Sequence, residues 1–209
     1  MLSTVTGKDL PLLGGIVCLD FVNTVDPRLA EPREDFLKSF EELAEWGTYV
    51  GLLSVSGKRT MLREGASDPA AASALHDRSI ILREALYRLF RARDRSVSDA
   101  LAALNSELQR AAAVVSVQKR KGSYELAWPG STVGDGLLGA VARSAVDLLT
   151  SAELAYVREC AGDGCGWLFL DTSKAHRRQW CSMAICGNRA KARRHRRRRS
   201  PSLIGRADG

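Results

Sequence analysis

The sequence predicts an α+β chain, mostly helical, in which a helical N-terminal domain with a small β element is followed by a small metal-bound module. Three observations lead there. Apolar stripes of helical period with capping signals recur through residues 1–157, and one stretch of alternating period interrupts them. Four of the five cysteines, Cys160, Cys165, Cys181 and Cys186, fall within 27 positions near the C-terminal end. A chain of 209 residues with 45% apolar and 26% charged residues has an ordinary globular balance, which excludes a wholly disordered protein. No run approaches 18 apolar residues, and the start MLSTVTGKDLPLLGG has no basic segment followed by an apolar one. No membrane span or secretory signal is expected, and a cytoplasmic location is.

Taken in order, Gly14-Gly15 is followed by the apolar, β-branched run from Ile16 to Asn23, which predicts a short buried strand ended by Asp26-Pro27. Cys18 in that run reads as a packed small hydrophobe. Asp20 and Asn23 need hydrogen-bond partners there, supplied by a turn or by a ligand. Ser39-Phe40-Glu41-Glu42 fits a capping box, and Leu43, Trp46, Val50 and Leu53 share a face, which predicts a helix to about residue 53. Asp68-Pro69 starts another, with Leu75, Leu82, Leu86, Leu89 and Phe90 as its stripe, to about residue 93. Ser98 can cap a third helix carrying Leu101, Leu104 and Leu108. Val115-Ser116-Val117 and the alternation from Tyr124 to Trp128 flank Lys121-Gly122 as a β-hairpin that Pro129-Gly130 closes. A last amphipathic helix over about 135–150 runs through Leu138, Val141, Ala145, Leu148 and Leu149. This body is long enough for its own core and is expected to fold without the metal. It carries no P-loop, no G-x-S-x-G, no H-E-x-x-H and no dinucleotide fingerprint, so no enzyme is expected. His76, its one histidine, reads as a surface residue.

Charge separates the two parts. Residues 1–157 carry 18 Lys and Arg against 20 Asp and Glu, whereas residues 158–209 carry 13 against 4. The net charge of +7 therefore belongs to the C-terminal quarter, the pattern of a neutral part joined to one that binds a polyanion.

Cys160-x4-Cys165 and Cys181-x4-Cys186 form two equal pairs fifteen residues apart, with Gly162, Gly164 and Gly166 in or beside the first and Gly187 after the second. Four soft thiolates at that spacing predict one zinc ion. Trp167-Leu168-Phe169-Leu170 has strand composition, Asp171-Thr172-Ser173 reads as a turn, and helix follows the last cysteine. Knuckle, hairpin, second knuckle and helix is the order of a treble-clef-like zinc finger, and a closed four-thiolate shell makes its zinc structural. From Arg189 to Arg199 eight of eleven residues are Arg or Lys. Arg189, Arg193, Arg196 and Arg197 would share one helical face, with Lys191 and Arg194 beside them and Arg177 and Arg178 just before the second pair. These eight side chains are the candidate nucleic-acid contacts, most of them to phosphate.

The string from Cys160 to Ser173, with Arg177-Arg178-Gln179-Trp180-Cys181 and Cys186-Gly187-Asn188-Arg189-Ala190-Lys191, resembles the CGNR-type zinc finger. The body is similar to the ABATE domain at Leu19-Asp20-Phe21-Val22-Asn23-Thr24, Leu82-Arg83-Glu84-Ala85-Leu86 and Leu104-Asn105. That domain precedes the finger in bacterial proteins described as stress-induced transcription regulators. The resemblance implies a DNA-binding regulator.

The expectation is a zinc-dependent regulator that binds double-stranded DNA, with structured RNA as the alternative partner and an enzyme using a pocket in the body as a lesser one. Residues 1–157 would form a sensing or dimerising domain, 158–199 the finger with its basic helix, and 200–209 a disordered tail. A small-molecule effector would meet Asp20, Asn23 and Arg83, unless Asp20 and Arg83 are a purely structural ion pair. A homodimer would help, because one finger buries little DNA surface.

Overall fold

The computed structural model describes residues 10–91, 97–112, 116–120, 122–127 and 132–199. The expected tail over 200–209, the residues closing the hairpin and the end of the long helix beyond Arg91 lie outside these.

The run expected as a strand is a helix, α1 (Val17–Val22), and this is a correction. A short apolar run fits a buried strand and a buried helix equally well by period. Here Cys18, Leu19, Phe21 and Val22 are all enclosed, which marks a helix covered on every side. Two short strands, β1 (Val25–Asp26) and β2 (Glu34–Asp35), pair antiparallel after it. Helix α2 (Phe40–Tyr49) starts at Ser39, whose hydroxyl accepts the Glu42 amide at 3.3 Å. It stops short of Leu53 because Gly51, with φ of +78°, turns the chain. Helix α3 (Val55–Ser67), capped by Ser54, has no counterpart among the expected elements, since Met61 is its one fully buried residue and its apolar stripe is thin.

Asp68 accepts the Ala71 amide at 3.0 Å and opens α4 (Pro69–Arg91), which packs on α1, α2, α3, α5 (Ser98–Ala112) and α6 (Val133–Leu149). Thr132 caps α6 by accepting the Asp135 amide. Between α5 and α6 the strands β3 (Ser116–Arg120) and β4 (Ser123–Ala127) form the expected hairpin in register Arg120↔Ser123, with Gly122 at φ +90° in the turn.

The final antiparallel pair joins body to finger. Strands β5 (Val157–Glu159) and β6 (Leu168–Leu170) flank the first cysteine pair. Alternation along β6 sends Leu168 and Leu170 into the main core and Phe169 into a second cluster with the four cysteines, Trp167, Phe36 and Leu10. One strand is thus the wall between two cores.

Candidate metal centre and basic helix

Each cysteine is placed by local backbone chemistry. The first pair lies in the turn between β5 and β6, where Gly164 and Gly166 take φ of +73° and +67°. Gly162 is required by space, because a Cβ there would meet the Cys186 Sγ at 2.9 Å and the Cys160 Sγ at 3.3 Å. Cys181 follows a loop organised by Asp171, a buried carboxylate that accepts from the Ser173 amide and hydroxyl and from the Arg178 amide. Cys186 sits in a wide helical turn, Met183–Gly187, which runs into α7 (Asn188–Arg199).

The four buried Sγ atoms lie within 4.8 Å of one another, with Cys165–Cys181 at 3.8 Å and Cys181–Cys186 at 3.7 Å. Those separations match the edge of about 3.8 Å that a tetrahedron has when each Zn–S bond is about 2.3 Å. Amides of Gly162 and Cys181 donate to the Cys160 Sγ at 3.4 and 3.3 Å, which favours a thiolate. The Cys165 and Cys181 thiols, together with those amides, hold the Cys160 pKa far below the ordinary thiol range. Hydrogen bonding to that same sulfur pushes Cys165 and Cys181 up, and burial raises Cys186. A soft dication among the sulfurs would let all four ionise. The set fits one structural Zn2+, which would cross-link the β5–β6 turn to the start of α7 and leave no open position for a reacting water.

Helix α7 spans about 18 Å at 1.5 Å per residue. Arg189, Lys191, Arg193, Arg194, Arg196 and Arg197 are all exposed. A cleft of about 570 Å³ between the first knuckle and α7 is lined by Asp163, Arg189, Arg193, Arg194 and Arg197. Arg193 pairs with Asp163, which ties the helix to the knuckle. Arg177 is exposed, but Arg178 is turned inward. Its guanidinium donates to the carbonyls of Trp180 and Cys181 and lies 4.5 Å from the Phe169 ring centroid, so it braces the second pair.

The three residues expected at a ligand are engaged within the fold. The Asn23 side chain donates to the Leu168 carbonyl at 2.8 Å and accepts its amide at 2.9 Å. Asp20 accepts from the Gly14 amide, and Gly14 in turn accepts from Leu170. The Asp20–Arg83 pair is not formed. Arg83 binds Asp35 through two bonds of 2.7 Å and Glu84 at 3.0 Å, because β2 brings Asp35 against α4. His76 bonds the Leu37 carbonyl at 2.8 Å.

Sequence reasoning missed Arg28. This buried arginine donates to the Val22 carbonyl at the end of α1 and to Glu84, and stacks 4.1 Å from the Tyr87 ring centroid. The amides of Arg28 and Leu29 donate to the carbonyls of Cys165 and Gly164, and Trp167 Nε1 donates to Val25. The knuckle is therefore built on the body. No local pattern in the sequence could announce bonds that span more than a hundred residues.

Two family models match the chain. One, ABATE, described as "Putative stress-induced transcription regulator", covers residues 15–152, and the other, the CGNR zinc finger, covers residues 156–199. No curated protein sequence matches it. Among the described residues no helix is long and apolar enough to cross a membrane.

Proposed function

The chain belongs to the ABATE family and carries a CGNR zinc finger, and on that premise we propose that it is a zinc-dependent transcription regulator that grips double-stranded DNA with α7. The observation that carries this reading is the set of six exposed basic side chains on a helix whose first turn is fastened to a four-cysteine centre. Helix, zinc and body act in series. The four-cysteine centre fixes the start of α7, the β5–β6 pair fixes the centre, and the body core fixes β6. A helix held at one end in this way presents its guanidinium groups to phosphates without first having to order itself, which lowers the entropic cost of binding.

Arg189, Lys191, Arg193, Arg194, Arg196 and Arg197 make these contacts, with Arg177 adding one from beside the helix. Residues 158–199 serve as the binding module and residues 1–157 as its scaffold and regulatory partner. The chemistry asked of the protein is binding, with no catalytic step. The test replaces Lys191, Arg194, Arg196 and Arg197 by alanine together. Because these side chains are exposed, zinc content and melting temperature should hold while duplex DNA affinity falls by about 100-fold or more at 100 mM salt. Unchanged DNA affinity refutes the reading, and a preference for folded RNA over duplex at equal salt replaces DNA by RNA as the partner.

A further inference from the structure

A second cavity, of about 350 Å³, lies at the seam between body and finger. That places it at the small end of the roughly 300–1,000 Å³ range of small-molecule sites. Leu13, Phe36, Trp167 and Ile185 give it apolar walls, and three of the four clustered cysteines, Cys165, Cys181 and Cys186, also line it. Its polar rim is acidic. Asp26 and Glu34, cross-strand partners in the β1–β2 ribbon, both line it, and Arg189 is the one cation among its lining residues.

Asp163, also on the rim, is engaged by Arg193, and Glu34 has a loose ion pair of 3.8 Å with Lys38. Asp26 has no hydrogen bond or ion pair to its carboxylate among the described residues, and Arg189 lines the same cavity. The walls are held in place independently of any ligand. Trp167 donates to Val25, next to Asp26, and the Tyr49 hydroxyl donates to the Leu10 carbonyl at the mouth.

We propose that this seam cavity binds a small organic cation, an ammonium or guanidinium on an apolar body, and that its occupancy changes the affinity of α7 for DNA. Asp26 and Glu34 take the charge, while Phe36 and Trp167 take the apolar part. A neutral or anionic ligand of the same shape would cover the half-buried Asp26 carboxylate without giving it a partner, which is the source of selectivity. Coupling runs through Arg189, which opens the basic helix and faces the same carboxylate. A cation beside Asp26 takes over the carboxylate that otherwise competes with phosphate for Arg189, so the Arg189 contact to DNA strengthens. The first half of the proposal stands without the DNA-binding reading, and the second half rests on it.

The test uses the full zinc-loaded chain and three probes of one shape: 2-phenylethylammonium, 2-phenylethanol and phenylacetate, titrated by calorimetry and NMR. The ammonium should bind at least tenfold more tightly than the alcohol, and phenylacetate more weakly still. Asp26→Asn and Glu34→Gln should each remove at least threefold of the ammonium affinity and leave the alcohol unchanged, and Leu13→Trp should fill the cavity and abolish both. If Asp26→Asn fails to fold, Glu34→Gln, at the more exposed of the two positions, carries the comparison. Equal binding of ammonium and alcohol, insensitivity to both carboxylate variants, or no binding of any probe overturns the site.

DNA affinity, measured with saturating 2-phenylethylammonium against equal ammonium chloride, should rise at least threefold, and DNA should tighten probe binding by the same factor. Unchanged affinity overturns the coupling. Should the chain bind no DNA at all, the proposed function fails while the probe titration still decides the cavity.

Discussion

Replacing Asn23 by alanine removes one buried side chain that holds body and finger together. Asn23 is 1% exposed and forms both of its bonds with the backbone of Leu168, at 2.8 and 2.9 Å. The variant leaves one buried N–H and one buried C=O without their side-chain partner, at about 1–3 kcal/mol each, so the loss should be about 2–6 kcal/mol. Against a total stability of about 5–15 kcal/mol that is a large fraction. The assay is urea unfolding of cobalt-substituted protein, followed by far-ultraviolet circular dichroism for the helices and by thiolate-to-cobalt absorbance for the metal centre. Both signals should vanish in one coincident transition, displaced to lower urea in the variant with an unchanged slope. A loss below about 1 kcal/mol, or a cobalt signal in the parent protein that disappears well before the helices melt, refutes the shared-core reasoning.

Burial pushes Asp20 up to about 6 although the Gly14 amide pulls it down. The unfolded chain therefore ionises first, near pH 4, and stability falls as pH rises from about 4 to about 6, by up to about 3 kcal/mol. Asp20→Asn keeps an oxygen for the Gly14 amide and should be neutral at pH 4 and stabilising at pH 7.5 by urea unfolding, and destabilisation at pH 7.5 would contradict this. Gly162→Ala drives a Cβ against two sulfurs and should lower zinc affinity by at least about tenfold in chelator competition. Gly122→Ala, in open space at a positive φ, should cost about 1 kcal/mol and leave zinc affinity unchanged. Arg178→Ala should cost about 1.5–3 kcal/mol of stability with little change in the salt dependence of DNA binding, because its charge bonds to carbonyls. Arg196→Ala should do the reverse, reducing the log–log salt slope by about 0.9.

What is legible in the sequence is local. Ser39 and Asp68 announce α2 and α4 because a cap acts on amides two or three residues away, and the hairpin turn at Gly122 works at the same range. The cysteine pairs are legible because thiolates have few alternative uses at that spacing. Helix α1 reads as a strand because a helix with five of its six residues buried carries no polar face, and α3 escapes notice because it shows so little apolar surface to the core. Arg178 looks like its exposed neighbours until Phe169 comes beneath it. Arg28, Asn23 and Trp167 owe their roles to contacts made only once the chain has closed, and these are the residues that decide where the finger sits.

The most direct test of the account is the affinity of the full zinc-loaded chain for duplex DNA, measured by fluorescence anisotropy between 50 and 300 mM salt. If about five to eight phosphates are neutralised by α7 and Arg177, log affinity should fall against log salt with a slope of about −4.5 to −7. The slope should collapse when zinc is removed by chelation, because the start of α7 then loses its anchor. A slope shallower than about −2, or an unchanged slope in the zinc-free protein, would contradict a zinc-fastened basic helix as the DNA-binding element.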